Sequence, residues 1–244
     1  MSNYNFWNRW QHKTRIEKIA IQQVIKTRRL VRKAVPAKGL VAIYIKGSFV
    51  RREMTPVSDV DMVPIVTANS YEGQVFELND KDISPVMIIP LSLWELKHNR
   101  LFSQTDITPD TRALPDIFLK KLDQYKLIYG RPLDPNKFPI RSDKVLLRSA
   151  IQKIKKAYIP AYLSGKIGLA TLAKEFFWLV ELEQNIQGQK VQHSFSGIMK
   201  AVSDKEHLVH KAYYLKNSSR LSKLVKQKFI YQLKKYLQNL EKSS

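Results

Sequence analysis

Between Arg15 and Lys33, the apolar residues Ile16, Ile19, Ala20, Val24 and Val31 recur at helical spacing, while Arg15, Lys18, Lys26, Arg29 and Lys33 fall on another face. This pattern predicts an amphipathic basic helix, ended by Pro36 and the Lys38-Gly39 pair. The run LVAIYIK, Leu40 to Lys46, is apolar and rich in β-branched residues, and it predicts a buried strand. A second strand is expected over Val60 to Val66, with Pro64 an objection to a central place in a sheet, and a third around Ile83 to Ile89. After Pro90 the pattern predicts a short helix over Leu91 to Leu101 with Trp94 anchoring the core. A polar loop or lid follows over 102–112, then a helix from Pro115 to Tyr129 that closes at Gly130. The proline-rich stretch RPLDPNKFPI, 131–140, has little periodicity and is expected to be a linker.

Beyond the linker the pattern becomes all-helical. Segments of about 142–163, 168–187, 194–216 and 219–241 are separated by turn signals at Ser164-Gly165, Gly188 and Asn217-Ser218. In the last of them Leu221, Val225, Phe229, Leu233, Leu237 and Leu240 form a stripe suited to the core of a bundle. The expected architecture is therefore an α/β (α+β) domain with a small mixed sheet over residues 1–135, followed by a helical bundle domain over 141–244.

Composition adds a strong electrostatic feature. The chain of 244 residues carries a formal charge of +21, and the charge is clustered. Residues 1–55 hold 13 Lys or Arg against Glu17 and Glu53, and the segment from Ser219 onward is basic with only Glu241 opposing. Clustered positive charge attracts polyphosphate or nucleic-acid backbones, whereas scattered lysines only solubilise. The absence of cysteine removes disulfides, thiolate metal sites and cysteine nucleophiles. No apolar run approaches the length of a membrane span and no signal peptide is recognisable, so a cytoplasmic protein without a membrane anchor is expected.

The candidate chemistry lies in residues 44–66, YIKGSFVRREMTPVSDVDMVPIV. A strand runs into Gly47 and Ser48, a basic loop intervenes, and Ser58, Asp59, Val60 and Asp61 open the next strand. Asp59 and Asp61 are two positions apart, so they project on one side and can share divalent cations. Carboxylate oxygens without nitrogen or sulfur competitors suit magnesium, which keeps waters and phosphate oxygens in its shell. Gly47 lets backbone N–H groups approach a phosphate, the Ser48 hydroxyl adds a donor, and Arg51 and Arg52 are placed to meet phosphate oxygens.

G-S-x-x-R followed by S-D-x-D at this spacing resembles the active-site motif of the DNA polymerase β-like nucleotidyltransferase superfamily, its minimal and antibiotic-type members above all. Gly47, Ser48, Arg51, Ser58, Asp59 and Asp61 occupy the motif positions, while Arg52 stands where many minimal members carry glycine. The resemblance covers mainly residues 30–90. It implies transfer of a nucleoside monophosphate from a nucleoside triphosphate to an acceptor hydroxyl, with Asp59 and Asp61 holding magnesium, expected as two ions. It also implies a third carboxylate on a neighbouring strand. Asp82 is the first choice for that role, with Glu77 and Asp80 as alternatives.

Net charge favours RNA, such as a tRNA end, as the acceptor, held by the basic helices at the two ends of the chain. A small molecule of the aminoglycoside type or a protein acceptor are alternatives, and a non-catalytic RNA-binding protein on the same fold is another. His207 and His210 sit three apart without an evident further ligand and read as surface residues, so no zinc site is expected. Trp178 with Phe176 and Phe177 reads as packing.

Overall fold

The computed structural model describes residues 4–102, 112–218 and 220–243. The chain forms two compact units, Met1–Ile140 and Arg141–Ser244.

The first unit is a mixed sheet with helices on both faces. Helix α1, Arg15–Ala34, begins at a capping box in which the Thr14 hydroxyl accepts from the Glu17 amide while the Glu17 carboxylate accepts from the Thr14 amide. Strand β1, Leu40–Lys46, leads through a one-turn helix α2, Ser48–Arg51, to β2, Val60–Val66. Helix α3, Ser70–Phe76, runs into a 3-10 turn over Glu77–Asp80, and β3, Val86–Ile88, and β4, Leu91–Ser92, follow. Next come α4, Leu93–His98, α5, Pro115–Lys120, and β5, Lys126–Gly130. The sheet order is β3-β2-β1-β5, with β4 also on β2. β1 is antiparallel to β2 and β5, and β2 is parallel to β3 and β4.

Alternation sends Ile43 and Ile45 of β1, Val60, Met62 and Val66 of β2, and Val86 and Ile88 of β3 into a core shared with Val24 and Val31 of α1. The other face contributes Ala42, Tyr44, Val63 and Ile65 to a second core with Leu96 of α4 and Phe118 and Leu119 of α5. Pro64 sits where the pairing of β2 passes from β3 to β4, so a central proline interrupts a ladder that is already broken there.

Two expectations for this unit change. The segment expected as one helix over Pro115 to Tyr129 ends at Lys120, and Lys126–Gly130 pairs with β1 instead. Ile128 gains complete burial in the sheet, which outweighs the helical spacing of its apolar neighbours. Trp94 is 36% exposed and stacks on His98, and Leu96 is the buried residue of α4. Of the loop expected over 102–112, residues 103–111 lie outside the described residues.

A buried charge cluster joins α3, α4 and Arg112. Arg112 donates to Glu72 Oε2 (3.2 Å), Glu95 Oε1 (3.0 Å) and the Pro90 carbonyl (2.9 Å). Glu95 also caps α4 and accepts from the Phe102 amide (2.7 Å). Burial, and then the neighbouring charge of Glu95, push the Glu72 carboxyl up to about 7.

The second unit is helical. α6, Asp143–Lys153, continues through a π-helical stretch, Ile154–Tyr158, into α7, Ile159–Leu163. α8, Leu169–Ile186, α9, Phe195–Ala201, α10, Leu208–Asn217, and α11, Lys223–Ser243, complete it. The helix expected over 194–216 is two helices, because Val202 leaves the helical region at φ −86°, ψ 102° and α10 restarts at His207. Phe176, Phe177, Phe229, Leu233 and Leu237 are buried in one core, with Leu221, Val225 and Leu240 packed against it. Trp178 packs on Phe195 and His193, and so belongs to the bundle. Among the described residues, no helix is long and apolar enough to cross a membrane.

Candidate active site

Lys46 lies opposite Asp61 in the β1–β2 pairing, and Asp61 lies opposite Met87 in the β2–β3 pairing. Their sequence neighbours Ile45, Val60, Met62, Val86 and Ile88 all point into the core beneath α1. Lys46, Asp61 and Met87 therefore stand in a row across the opposite face, at the end of the sheet where β1 finishes and β2 begins. Asp59 is exposed just ahead of β2, two residues before Asp61.

The turn that follows β1 is built around this row. Gly47 adopts φ 83°, ψ −157°, a region open essentially to glycine alone. A Cβ at Gly47 would stand 3.0 Å from Asp61 Oδ2, so glycine is required for contact as well as conformation. Ser48 starts α2, whose Phe49 is fully buried among Phe6, Trp7 and Trp10, at ring separations of 5.9, 6.2 and 5.1 Å. That aromatic anchor fixes the Gly47-Ser48 turn against the sheet. Ser58 Oγ accepts from the Thr55 amide (2.9 Å), and the Ser58 amide donates to the Thr55 carbonyl (3.0 Å). Ser58 thus shapes the turn that delivers Asp59 to the strand.

The two arginines differ from each other. Arg51 Nε donates to Glu53 Oε2 at 2.7 Å on the loop itself. Arg52, expected at phosphates, is turned away: Nε donates to Glu17 Oε1 (2.8 Å) and one terminal nitrogen to Glu17 Oε2 (3.0 Å) and the His12 carbonyl (3.1 Å). Its guanidinium also lies over the Trp10 ring at 5.1 Å. Arg52 is left-handed at φ 60°, which accounts for the glycine that related motifs carry at this place. Here a bidentate ion pair holds the arginine in a glycine conformation and clamps the loop to the start of α1. Hydrogen bonding from Arg52 holds the Glu17 carboxyl below its ordinary range despite burial.

The structure does not bring a third carboxylate from the expected residues to Asp59 and Asp61. Asp82 has a side chain 90% exposed and is paired with Lys26 of α1, whose Nζ donates to the Asp82 carbonyl (2.7 Å) and lies 3.7 Å from Oδ2. It therefore sits at the α1 face, away from the Asp61 row. Glu77 and Asp80 are exposed on the 3-10 turn whose Leu78 packs into the same α1 core. On the neighbouring strand, the position in register with Asp61 is occupied by Met87, 43% exposed. Among the described residues no group of three His, Cys, Asp or Glu is gathered as a metal site. The donor set is thus a pair of carboxylates, which suits an ion completing its shell with phosphate oxygens and water.

Lys46 is the residue that sequence reasoning passed over. Its Nζ lies 3.5 Å from Asp61 Oδ2, and its side chain is 27% exposed. The signal was its place as the last residue of β1, which antiparallel pairing sets beside the second aspartate.

His207 is not a surface residue: its Nδ1 accepts from the Val209 amide (3.2 Å), and its Nε2 meets Tyr236 Oη at 3.0 Å. Tyr236 in turn donates to Glu183, and burial lowers the His207 pKa. His210 Nε2 is buried without a hydrogen-bond partner. The pair is part of the bundle's polar packing.

No protein-family model matches the sequence, and no curated protein matches it. Solved structures do. The spectinomycin adenyltransferase AAD(9) from Enterococcus faecialis, crystallised with ATP and spectinomycin, is similar with a TM-score of 0.54 and 15% identity, over 87% of this chain and 98% of that one. A toxin-antitoxin structure with AMP-PNP, also 15% identical, covers 58% of this chain and 97% of that one, but at a TM-score of 0.30 the likeness carries no weight. The chain therefore shares its fold with that adenyltransferase.

Proposed function

We propose that this protein transfers a nucleoside monophosphate from a nucleoside triphosphate to an acceptor hydroxyl, releasing pyrophosphate. The observation that carries the reading is the row at the end of the sheet, with Asp61 3.0 Å from the place of a Gly47 Cβ, and Asp59 two residues before it. Asp59 and Asp61 hold a divalent cation, most simply magnesium. When bound, the ion neutralises phosphate charge and favours in-line attack on the α-phosphorus. The Gly47-Ser48 turn receives the phosphates, because a backbone without a side chain permits close approach and the Ser48 hydroxyl can donate. Arg51 reaches the same phosphates by exchanging its Glu53 partner for phosphate oxygens. The first unit carries the residues of this chemistry.

RNA is the acceptor that the charge supports best. Lys18, Arg29 and Lys33 of α1 are exposed, as are Lys223 and Lys228 of α11, and the whole chain is at +21. A small hydroxylated molecule is the second reading, favoured by the likeness to an adenyltransferase crystallised with spectinomycin over nearly all of both chains. Incubation with each α-labelled nucleoside triphosphate, offering total RNA, spectinomycin or the polypeptide alone, separates them. Label in RNA, with binding that weakens steeply as salt rises, supports the first reading. Label in the drug supports the second, and no label in any acceptor refutes the proposed activity.

A further inference from the structure

The row Lys46, Asp61, Met87 sets the charge available to cations, and it is poor in negative charge. Asp61 is flanked on one strand by an ammonium 3.5 Å from its Oδ2 and on the other by a thioether. Among the described residues, two carboxylates and one lysine leave a net of one negative charge at the point where the ions would gather. Magnesium binds by hard oxygen ligands, and a thioether offers none. Two divalent ions a few ångströms apart repel strongly unless several carboxylates lie between and around them. Pairing in β1 opposite Asp61 keeps the base of the Lys46 side chain beside this carboxylate.

Resting on the proposed nucleotidyl transfer, we infer that this site takes a single divalent ion, the one that arrives with the nucleotide phosphates, and that the Lys46 ammonium occupies the place beside Asp61 where a second ion would bind. Lys46 is then a positioning residue. It keeps the Asp61 carboxylate oriented before nucleotide arrives and supplies one fixed positive charge next to the reacting groups. A fixed ammonium needs no reorganisation when charge develops on the phosphates, and it gives the site a cation that chelators cannot remove.

The test is a count of ions. The full-length protein is saturated with α,β-methylene-ATP, whose bridging carbon blocks transfer, and titrated with Mn2+ followed by electron paramagnetic resonance. The expected result is one Mn2+ per ternary complex. In Lys46→Met, Mn2+ should bind about tenfold more tightly, because the like charge beside Asp61 is gone. In the double variant Lys46→Met/Met87→Asp, which replaces the cation and adds a carboxylate in register with Asp61, a second Mn2+ should appear. Lys46→Arg should keep the wild-type count. Two ions in the wild-type complex overturn the inference while leaving nucleotidyl transfer standing, and so does a Lys46→Met affinity equal to wild type. Failure of the wild type to bind the nucleotide at all sinks the proposed function and this inference with it. A melting curve for each variant confirms that the count is taken on folded protein.

Discussion

One guanidinium serves two buried carboxylates in the first unit, and this arrangement fixes how stability varies with pH. Glu72 and Glu95 are 5% and 0% exposed, and both pair with Arg112. A single positive charge cannot balance two, so one proton is retained: Glu72 is raised from 4.5 to about 7, by burial first and by Glu95 second. A carboxyl whose folded value is raised stabilises the fold fully below its unfolded value and loses that contribution as pH rises through the folded value. The window is therefore pH 4.5 to about 7, and the shift corresponds to a loss on the order of 3 kcal/mol across it. Glu72→Gln removes the titration while keeping the shape. Its amide introduces a fixed cost, since Glu72 Oε1 has no hydrogen-bond partner, but that cost does not vary with pH. The difference in unfolding free energy between variant and wild type should therefore move in favour of the variant by on the order of 3 kcal/mol between pH 4.5 and 8. Urea unfolding of both proteins over that range reads the double difference for the cluster, in which burial raises Glu95 as well, while titrating groups away from it cancel. A difference constant with pH would refute the raised Glu72 and the one-proton account of the cluster.

Replacing Asp59 or Asp61 by Asn should lower nucleotidyl transfer roughly a hundredfold or more, near 3 kcal/mol of transition-state stabilisation, with little change in the melting curve. Gly47→Ala forces a side chain into a glycine-only conformation 3.0 Å from Asp61 Oδ2, and it should cost about 1 to 3 kcal/mol in stability and reduce transfer, as measured by urea unfolding and initial rates. Phe49→Ala empties the fully buried position under the loop and should destabilise the first unit by about 3 to 5 kcal/mol in denaturant melts. Arg52→Gly suits the left-handed backbone at φ 60° but releases the clamp on Glu17. It should alter the melting curve while nucleotide affinity changes less than about twofold, and a larger loss of affinity would return Arg52 to the phosphates.

The helix α1 and the strands β1 and β2 were legible in the sequence because each rests on local patterning. Apolar periodicity and a glycine at the strand end act within a few residues. The stripe of α11 was legible for the same reason. What escaped was decided across the chain. β5 was read as helix because its pairing partner, β1, lies more than 80 residues away in sequence. Arg52 was assigned to phosphates because its partner Glu17 sits 35 positions earlier, on another element. The third carboxylate was sought in the acids nearest the third strand. Register decides instead which residue stands beside Asp61, and it selects Met87, whose chemistry gave no signal. Lys46 was hidden in the same way: as a strand-end lysine in a basic chain it looked ordinary until β1 and β2 were aligned.

The most direct test of nucleotidyl transfer is to incubate the wild-type protein and Asp61→Asn with magnesium and α-labelled ATP in the presence of total RNA and spectinomycin, measuring pyrophosphate and labelled acceptor together. The account predicts pyrophosphate released in step with label transferred by the wild type, and both lost in the variant. Release of neither by the wild type, or equal release by both proteins, would contradict it.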